Sequence, residues 1–205
     1  MSRTLTIPLA VSALCVAASA GAQPARLDIP AGRYTLDPNH SSLTFRVMHQ
    51  GLARYTARFT DFDATVELDP AQLERSKVTA TVDVKSIETD YEGKADFDTQ
   101  LATEQEWFDG TAHPQMRFVS QKVQLRKDGT LDVLGNLTLR GASHPVTLNV
   151  RINGAKVHPL KKIPMFGVSA RGELQRSTWG MKAMLPTTVA DEVTVELEGE
   201  FEQQK

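Results

Sequence analysis

Five histidines are the residues best suited to chemistry in this 205-residue chain. Imidazole holds metals, relays protons and activates hydroxyl nucleophiles near neutral pH. His113, His144 and His158 each stand directly before a proline. That neighbour biases them to extended or turn positions, and they are read as exposed loop residues. No two histidines have the short spacing of a zinc site, and the single cysteine, Cys15, lies far from all of them. His49 is different, because it shares parity with Phe45 and Val47. It is expected at the end of an apolar stripe, as a structural hydrogen-bonding group first and a ligand contact second. Serines and carboxylates are present, but there is no Gly-x-Ser-x-Gly elbow, no glycine-rich phosphate loop and no His-Glu-x-x-His. No metal, cofactor or catalytic set is expected, and catalysis is the minority reading.

The elements that would carry these residues are strands. Leu137 and Leu139 alternate with polar neighbours, as do Val146, Leu148, Val150 and Ile152, on either side of Gly141 to Pro145. Period-two alternation around a Gly/Ser/Pro turn predicts a hairpin with one apolar face. The same alternation recurs at Leu43–His49, at Val78, Ala80, Val82 and Val84, from Met116, at Phe166–Leu174 and at Val193–Phe201. Phe59 and Phe62 differ in parity, so a bend or bulge near Asp61 is needed to bring both to one face. Asp37 to His40 has turn composition, Arg26 to Arg33 reads as an exposed lead-in, and Asn153 to Pro164 reads as a loop.

Between Thr89 and Phe108 the period changes. Phe97, Leu101 and Phe108 fall on one helical stripe, with Asp109-Gly110 as a stop. The pattern is therefore about eight consecutive antiparallel strands with one inserted helix. A sandwich fills its interior with large side chains from two sheets. A barrel of about eight strands leaves room for side chains or one slender ligand. The apolar face here is rich in Val, Ala and Gly with a few Phe, which favours a cavity.

The N-terminus has the grammar of a secretory signal: Arg3, an apolar run from Ile7 to Ala18, then small residues with a cut expected after Ala22. Residues 1–22 are read as a signal peptide and 23–205 as one domain, which places the mature protein in a bacterial periplasm. Leu14 before Cys15 argues against a lipoprotein. The net charge of −2 shows no basic excess, so nucleic acid is not an expected partner.

Several short motifs, in order, resemble those of the YceI family. They include Tyr34-Thr35-Leu36-Asp37 with His40-Ser41, Phe45-x-Val47-x-His49-x-Gly51, Phe59-x-x-Phe62 and Ser86-Ile87-x-Thr89. They continue with Trp107-Phe108-Asp109, Gly135-x-Leu137-Thr138-Leu139-x-Gly141, Pro145-Val146, Arg176-Ser177-x-x-Gly180-Met181 and Asp191-Glu192-Val193. No one of these is specific; their order and spacing from Tyr34 to Phe201 are. The resemblance implies an all-β, antiparallel, lipocalin-like barrel with a helix packed against it. It also implies a long amphiphile in the lumen, such as a polyisoprenoid, an isoprenoid quinone or another lipid, and frequently a homodimer. Many members carry an Arg-Asp pair followed by His-Leu in the helix; here Lys94-Ala95-Asp96-Phe97 and Gln100-Leu101 stand instead, which leaves the head group open.

The expected lining is Phe45, Val47, Phe59, Val82, Phe118, Val168 and Ala170. His49 stands at one end, Phe97 and Trp107 line or plug the lumen, and Arg176 stands at its rim with Ser177 and Trp179. Leu101 and Phe108 are assigned to helix packing. Lys156, Lys161 and Lys162 share one loop, read as solvated, with anionic lipid head groups of a membrane surface or a pyrophosphate as the sharper alternative. The first functional reading is a lipid carrier or sensor. The second is an adaptor for a membrane cytochrome or a stress response, with no obligatory ligand, and the third is a lipid-modifying enzyme.

Overall fold

The computed structural model describes residues 27–204. The expected signal segment, residues 1–22, lies outside them. The described chain forms ten strands: β1 (Gly32–His49), β2 (Ala53–Phe59), β3 (Phe62–Leu68), β4 (Lys77–Asp83), β5 (Ile87–Glu88), β6 (Gln115–Leu125), β7 (Leu131–Leu139), β8 (Ala142–Val157), β9 (Pro164–Gln175) and β10 (Val189–Gln203). One helix, α1 (Phe97–Thr103), sits between β5 and β6.

The sheet closes on itself, because β10 pairs with both β9 and β1. β2 and β3 pair with successive parts of β1, so together they are one barrel strand broken at Thr60 and Asp61. β4 and β5 do the same against β3 and β2. The ring is thus an eight-stranded antiparallel barrel with consecutive neighbours. The bend expected at Asp61 is present, with Phe59 buried and Phe62 half-buried on one face. The two breaks lie side by side and satisfy each other. The Thr60 amide donates to the Ser86 carbonyl at 3.0 Å and the Asp83 amide to the Asp61 carbonyl at 2.9 Å. These bonds take up backbone groups that the interrupted ladder would otherwise leave unpaired.

The central hairpin is tighter than its composition predicts. β7 and β8 are joined by Arg140 and Gly141 alone, with φ of 51° and 74°, and Leu139 faces Ala142. Two positive φ angles make the turn whose twist matches paired strands, and Gly141 meets the second at little cost. Ser143, His144 and Pro145 therefore belong to β8. His144 is a strand residue set edge-on to Trp179 at 5.4 Å, which corrects its loop assignment. β8 also continues to Val157, so the expected loop from Asn153 shrinks to His158–Ile163.

Asp37 to His40 is not a turn between strands but a bulge inside β1. Leu36 faces Phe201 and Ser41 faces Gly199, so β1 carries extra residues against β10. Asp37 closes the bulge, accepting from the Asn39 amide at 2.9 Å and meeting His40 Nδ1 at 2.9 Å.

The helix is shorter than its stripe. Asp96 caps it by accepting from the Thr99 amide, and it ends at Thr103. Phe108 reaches the same apolar side through a turn, its amide donating to the Leu101 carbonyl at 3.1 Å. Its ring meets Phe45 at 6.2 Å and Phe59 at 5.6 Å, fastening the helical segment to the wall.

The lead-in is the clearest reversal. Leu27 and Ile29 are buried, packed with Leu36, Leu68, Phe166 and Phe201. Tyr34, fully enclosed, donates its hydroxyl to the Pro30 carbonyl at 2.7 Å. Phe166 stacks on Phe201 at 5.1 Å and meets Tyr34 edge-on at 5.2 Å. The segment before β1 stoppers one end of the barrel because its two large apolar side chains alternate and the stacked rings leave them a place to bury.

Candidate functional site

Side chains on the inner face of the ring enclose a cavity of about 520 Å³, walled almost wholly by apolar groups. This lies within the roughly 300–1,000 Å³ of small-molecule sites. Along β10 the wall runs from Val189 to Phe201. At about 3.3 Å per residue and a tilt near 40°, that gives a channel about 30 Å long. The site is long and narrow.

All of the expected residues line it: Phe45, Val47, His49, Phe59, Val82, Phe97, Trp107, Phe118, Val168, Ala170 and Arg176. Their surroundings differ. Phe59, Trp107, Phe118 and Val168 are buried, while Phe45, Val47, Val82, Phe97 and Ala170 are half-buried although they point inward. These five border the lumen directly. His49 is exposed at one end. Leu101 and Phe108, assigned to packing, also line the lumen. Strand parity alone could have added Leu148, Val150, Ile152, Val193, Val195 and Leu197, which complete the wall. Tyr55 shares parity with Ala57 and Phe59 and could have been added the same way, whereas Tyr91 and Met181 arrive on loops.

The two ends of the channel are unlike. The far end is stoppered by the Leu27–Phe201 cluster. At the near end, helix α1 packs beside β5 and the turn before it, and Trp107, Trp179 and Met181 join one apolar cluster with side chains of β6 to β8. The Trp179 indole donates to the Leu137 carbonyl at 3.2 Å. His49 and Tyr91, exposed yet part of the wall, mark where the lumen meets solvent. Tyr55 donates to the Thr89 carbonyl at 2.9 Å, tying the Tyr91 loop to β2.

Arg176 is the buried cation of this end. Nε donates to the Ala190 carbonyl at 2.8 Å, Nη1 to Met181 at 3.2 Å, and Nη2 to Ala183 at 2.7 Å and Val189 at 3.0 Å. Its guanidinium lies 5.8 Å from the Trp107 ring centre. Burial pushes its pKa down, and the charge of Asp191 opposes that shift. Four backbone carbonyls thus take four of the five N–H donors of this buried cation. They hold the 181–190 segment across the rim. Ser177 completes the clamp, its amide and hydroxyl both donating to Asp191 at 2.7 and 2.6 Å.

The lysines of the β8–β9 loop sit at the stoppered end, where Lys161 pairs with Glu202 at 2.7 Å. They are remote from the opening. Among the described residues no group of three or more His, Cys, Asp or Glu is arranged to hold a metal.

Comparison with known proteins follows the same lines. A UPF0312 protein of Pectobacterium carotovorum is 30% identical over 201 residues, covering 97% of each chain. Protein YceI of Shigella flexneri is 30% identical over 173 residues, covering 82% of this chain and 87% of that one. Among solved structures, Burkholderia cenocepacia BcnA superposes with a TM-score of 0.69 at 23% identity, over 80% of this chain and 98% of that one. A polyisoprenoid binding domain from Saccharophagus degradans superposes with a TM-score of 0.60 at 14% identity, over 83% and 98%. The YceI-like domain model matches residues 34–201, the whole of the closed barrel from the first buried tyrosine to the last stacked phenylalanine, and the chain belongs to that family.

Proposed function

We propose that this protein is a periplasmic carrier that holds a long amphiphile, a polyisoprenoid, an isoprenoid quinone or a similar lipid, in the barrel lumen. The observation that carries the reading is the channel itself: about 520 Å³, apolar along its length and open to solvent at His49 and Tyr91. The Saccharophagus domain of the same fold, whose description is polyisoprenoid binding, supports the same class of ligand.

Burying a chain in the lumen stabilises it by about 0.8 kcal/mol per methylene relative to water. A bilayer gives the same gain, so uptake from a membrane depends on close packing against Phe45, Phe59 and Phe118 and on the polar groups at the opening. Arg176 offers little to a phosphate, since four of its five N–H donors already serve backbone carbonyls. A head group that stays at the mouth, near His49 and Tyr91, fits this wall better than an anion drawn inside.

The test is native mass spectrometry of the mature protein prepared from periplasm without detergent, with identification of the released lipid. A discrete adduct of isoprenoid or quinone mass is expected. A clean apo mass that persists after incubation with such lipids would sink the carrier reading.

A further inference from the structure

Five large apolar side chains are exposed among the described residues, and three of them surround the opening: Leu52 at 83%, Met184 at 58% and Tyr91 at 54%. Each stands on a different loop. Leu52 follows β1, its amide donating to the carbonyl of the lumen residue His49 at 3.0 Å. The Met184 carbonyl accepts from the amide of the lumen residue Val189 at 3.2 Å. Tyr91 is itself part of the lumen wall.

The loops are built to hold this arrangement. The Gln50 amide donates to the Thr188 carbonyl at 2.7 Å, joining the Leu52 turn to the Met184 segment. Gln50, Asp90 and Met184 have φ of 52°, 54° and 58°. Side-chain-bearing residues adopt that region at a cost, which persists only where the surroundings impose it. Leu52 and Met184, displayed outward on such loops, gain nothing from the fold itself, whereas the Tyr91 ring also meets Phe97 at 5.2 Å.

We propose that this open end docks on the face of a phospholipid bilayer, with Leu52, Tyr91 and Met184 entering the headgroup layer so that the lumen opens into it. The proposal rests on the carrier reading and names the partner of that site. Two features select a bilayer. The patch encircles the exit of an apolar channel, so docking lets the cargo pass without meeting water. The charges at this end also nearly balance: Lys94 and Lys182 on the loops, with Arg54 at the start of β2, against Asp90, Glu92 and Asp96, all exposed. A balanced rim suits a zwitterionic surface and depends little on salt. The β8–β9 loop makes the contrast, pairing exposed Leu160 with Lys161 and Lys162 at the stoppered end.

The experiment is flotation of the mature protein with vesicles of pure phosphatidylcholine, at low and high salt. Binding that salt leaves unchanged is expected. Leu52→Ser with Met184→Ser should weaken it by about tenfold or more. Neither residue lines the lumen, so the double variant should keep the wild-type lipid adduct in native mass spectra.

Three results would overturn the proposal: unchanged flotation of the double variant; binding that requires anionic vesicles and disappears in salt; or a variant that changes only the monomer–dimer balance, making the patch an interface between copies. Absence of an adduct in the wild type would remove the carrier reading while leaving vesicle docking to stand or fall by flotation.

Discussion

At Gly135 a methyl group would sit 2.5 Å from the Phe118 ring and 2.5 Å from the Val119 carbonyl oxygen. Neither can yield without moving the wall, so Gly135→Ala is expected to lose about 1–3 kcal/mol in urea unfolding. Gly154→Ala, with nothing within 4 Å, should stay within about 0.5 kcal/mol of wild type. Inward-facing glycines suggest empty space when read in a sequence. Here the space over Gly135 is taken by Phe118 and that over Gly172 by Leu148, while the cavity is bounded by Val, Ala and Phe. Composition therefore pointed to a true cavity for a partly mistaken reason. Arg176 makes the complementary case. Arg176→Leu strands four carbonyls, one buried and three part-buried, and should cost about 2–3 kcal/mol, read as a fall in the unfolding midpoint. Arg176→Lys is expected to recover only part of this, because a point charge cannot span the carbonyls that the planar fork reaches.

Elements were legible wherever one periodicity governed them. The broken strand at Asp61 followed from the parity of Phe59 and Phe62 alone, since only a bulge lets both face inward. What composition could not resolve was whether turn residues end a strand or bulge it. Asp37 to His40 reads as a turn, yet β10 runs past it and keeps β1 continuous. The bulge should be tuned by pH. The Asp37 hydrogen bond, then its charge, raises His40 from its ordinary 6.5. The His40 bond, then the Asn39 amide, lowers Asp37 from 3.8. The raised His40 contributes stability that is full below its unfolded pKa and lost as pH rises through the folded one. The lowered Asp37 contributes above its unfolded pKa and loses it as pH falls through the folded one. The pair therefore helps most from about pH 4 to 6.5. His40→Ala should lower the melting temperature more at about pH 5.5 than at about pH 8.5. An equal loss at both would count against the pair. The lead-in defeated the sequence reading for a different reason: Leu27 and Ile29 are two isolated apolar residues, and only the tertiary arrangement of Phe166 and Phe201 gives them a place to bury.

For the whole molecule, the ring and its inner face were legible because the same alternation recurs in every long strand, and inner-face membership names the wall. The route in was not, because it is made by loops where no period applies. Filling the lumen should separate binding from folding. Ala170 faces the channel between Val150 and Leu197. Ala170→Trp is expected to abolish lipid co-purification, with the overpacking penalty kept toward the low end of about 1–3 kcal/mol because the ring enters open space. A folded variant that still co-purifies lipid would contradict the assignment of this wall.

Closure has a consequence in time. The seam joins β1 to β10 in a register running from Tyr34 opposite Gln203 to His49 opposite Val189. The first strand made must wait for the last, and contacts so distant along the chain make folding slow, in the millisecond-to-second range. Until the final strand, Val189–Gln203, has been synthesised, two unpaired edges stand open together, each a template for another chain. A chain cut short within those residues is expected to aggregate rather than to persist as a smaller barrel, so a stop late in the message should be as damaging as one near its start.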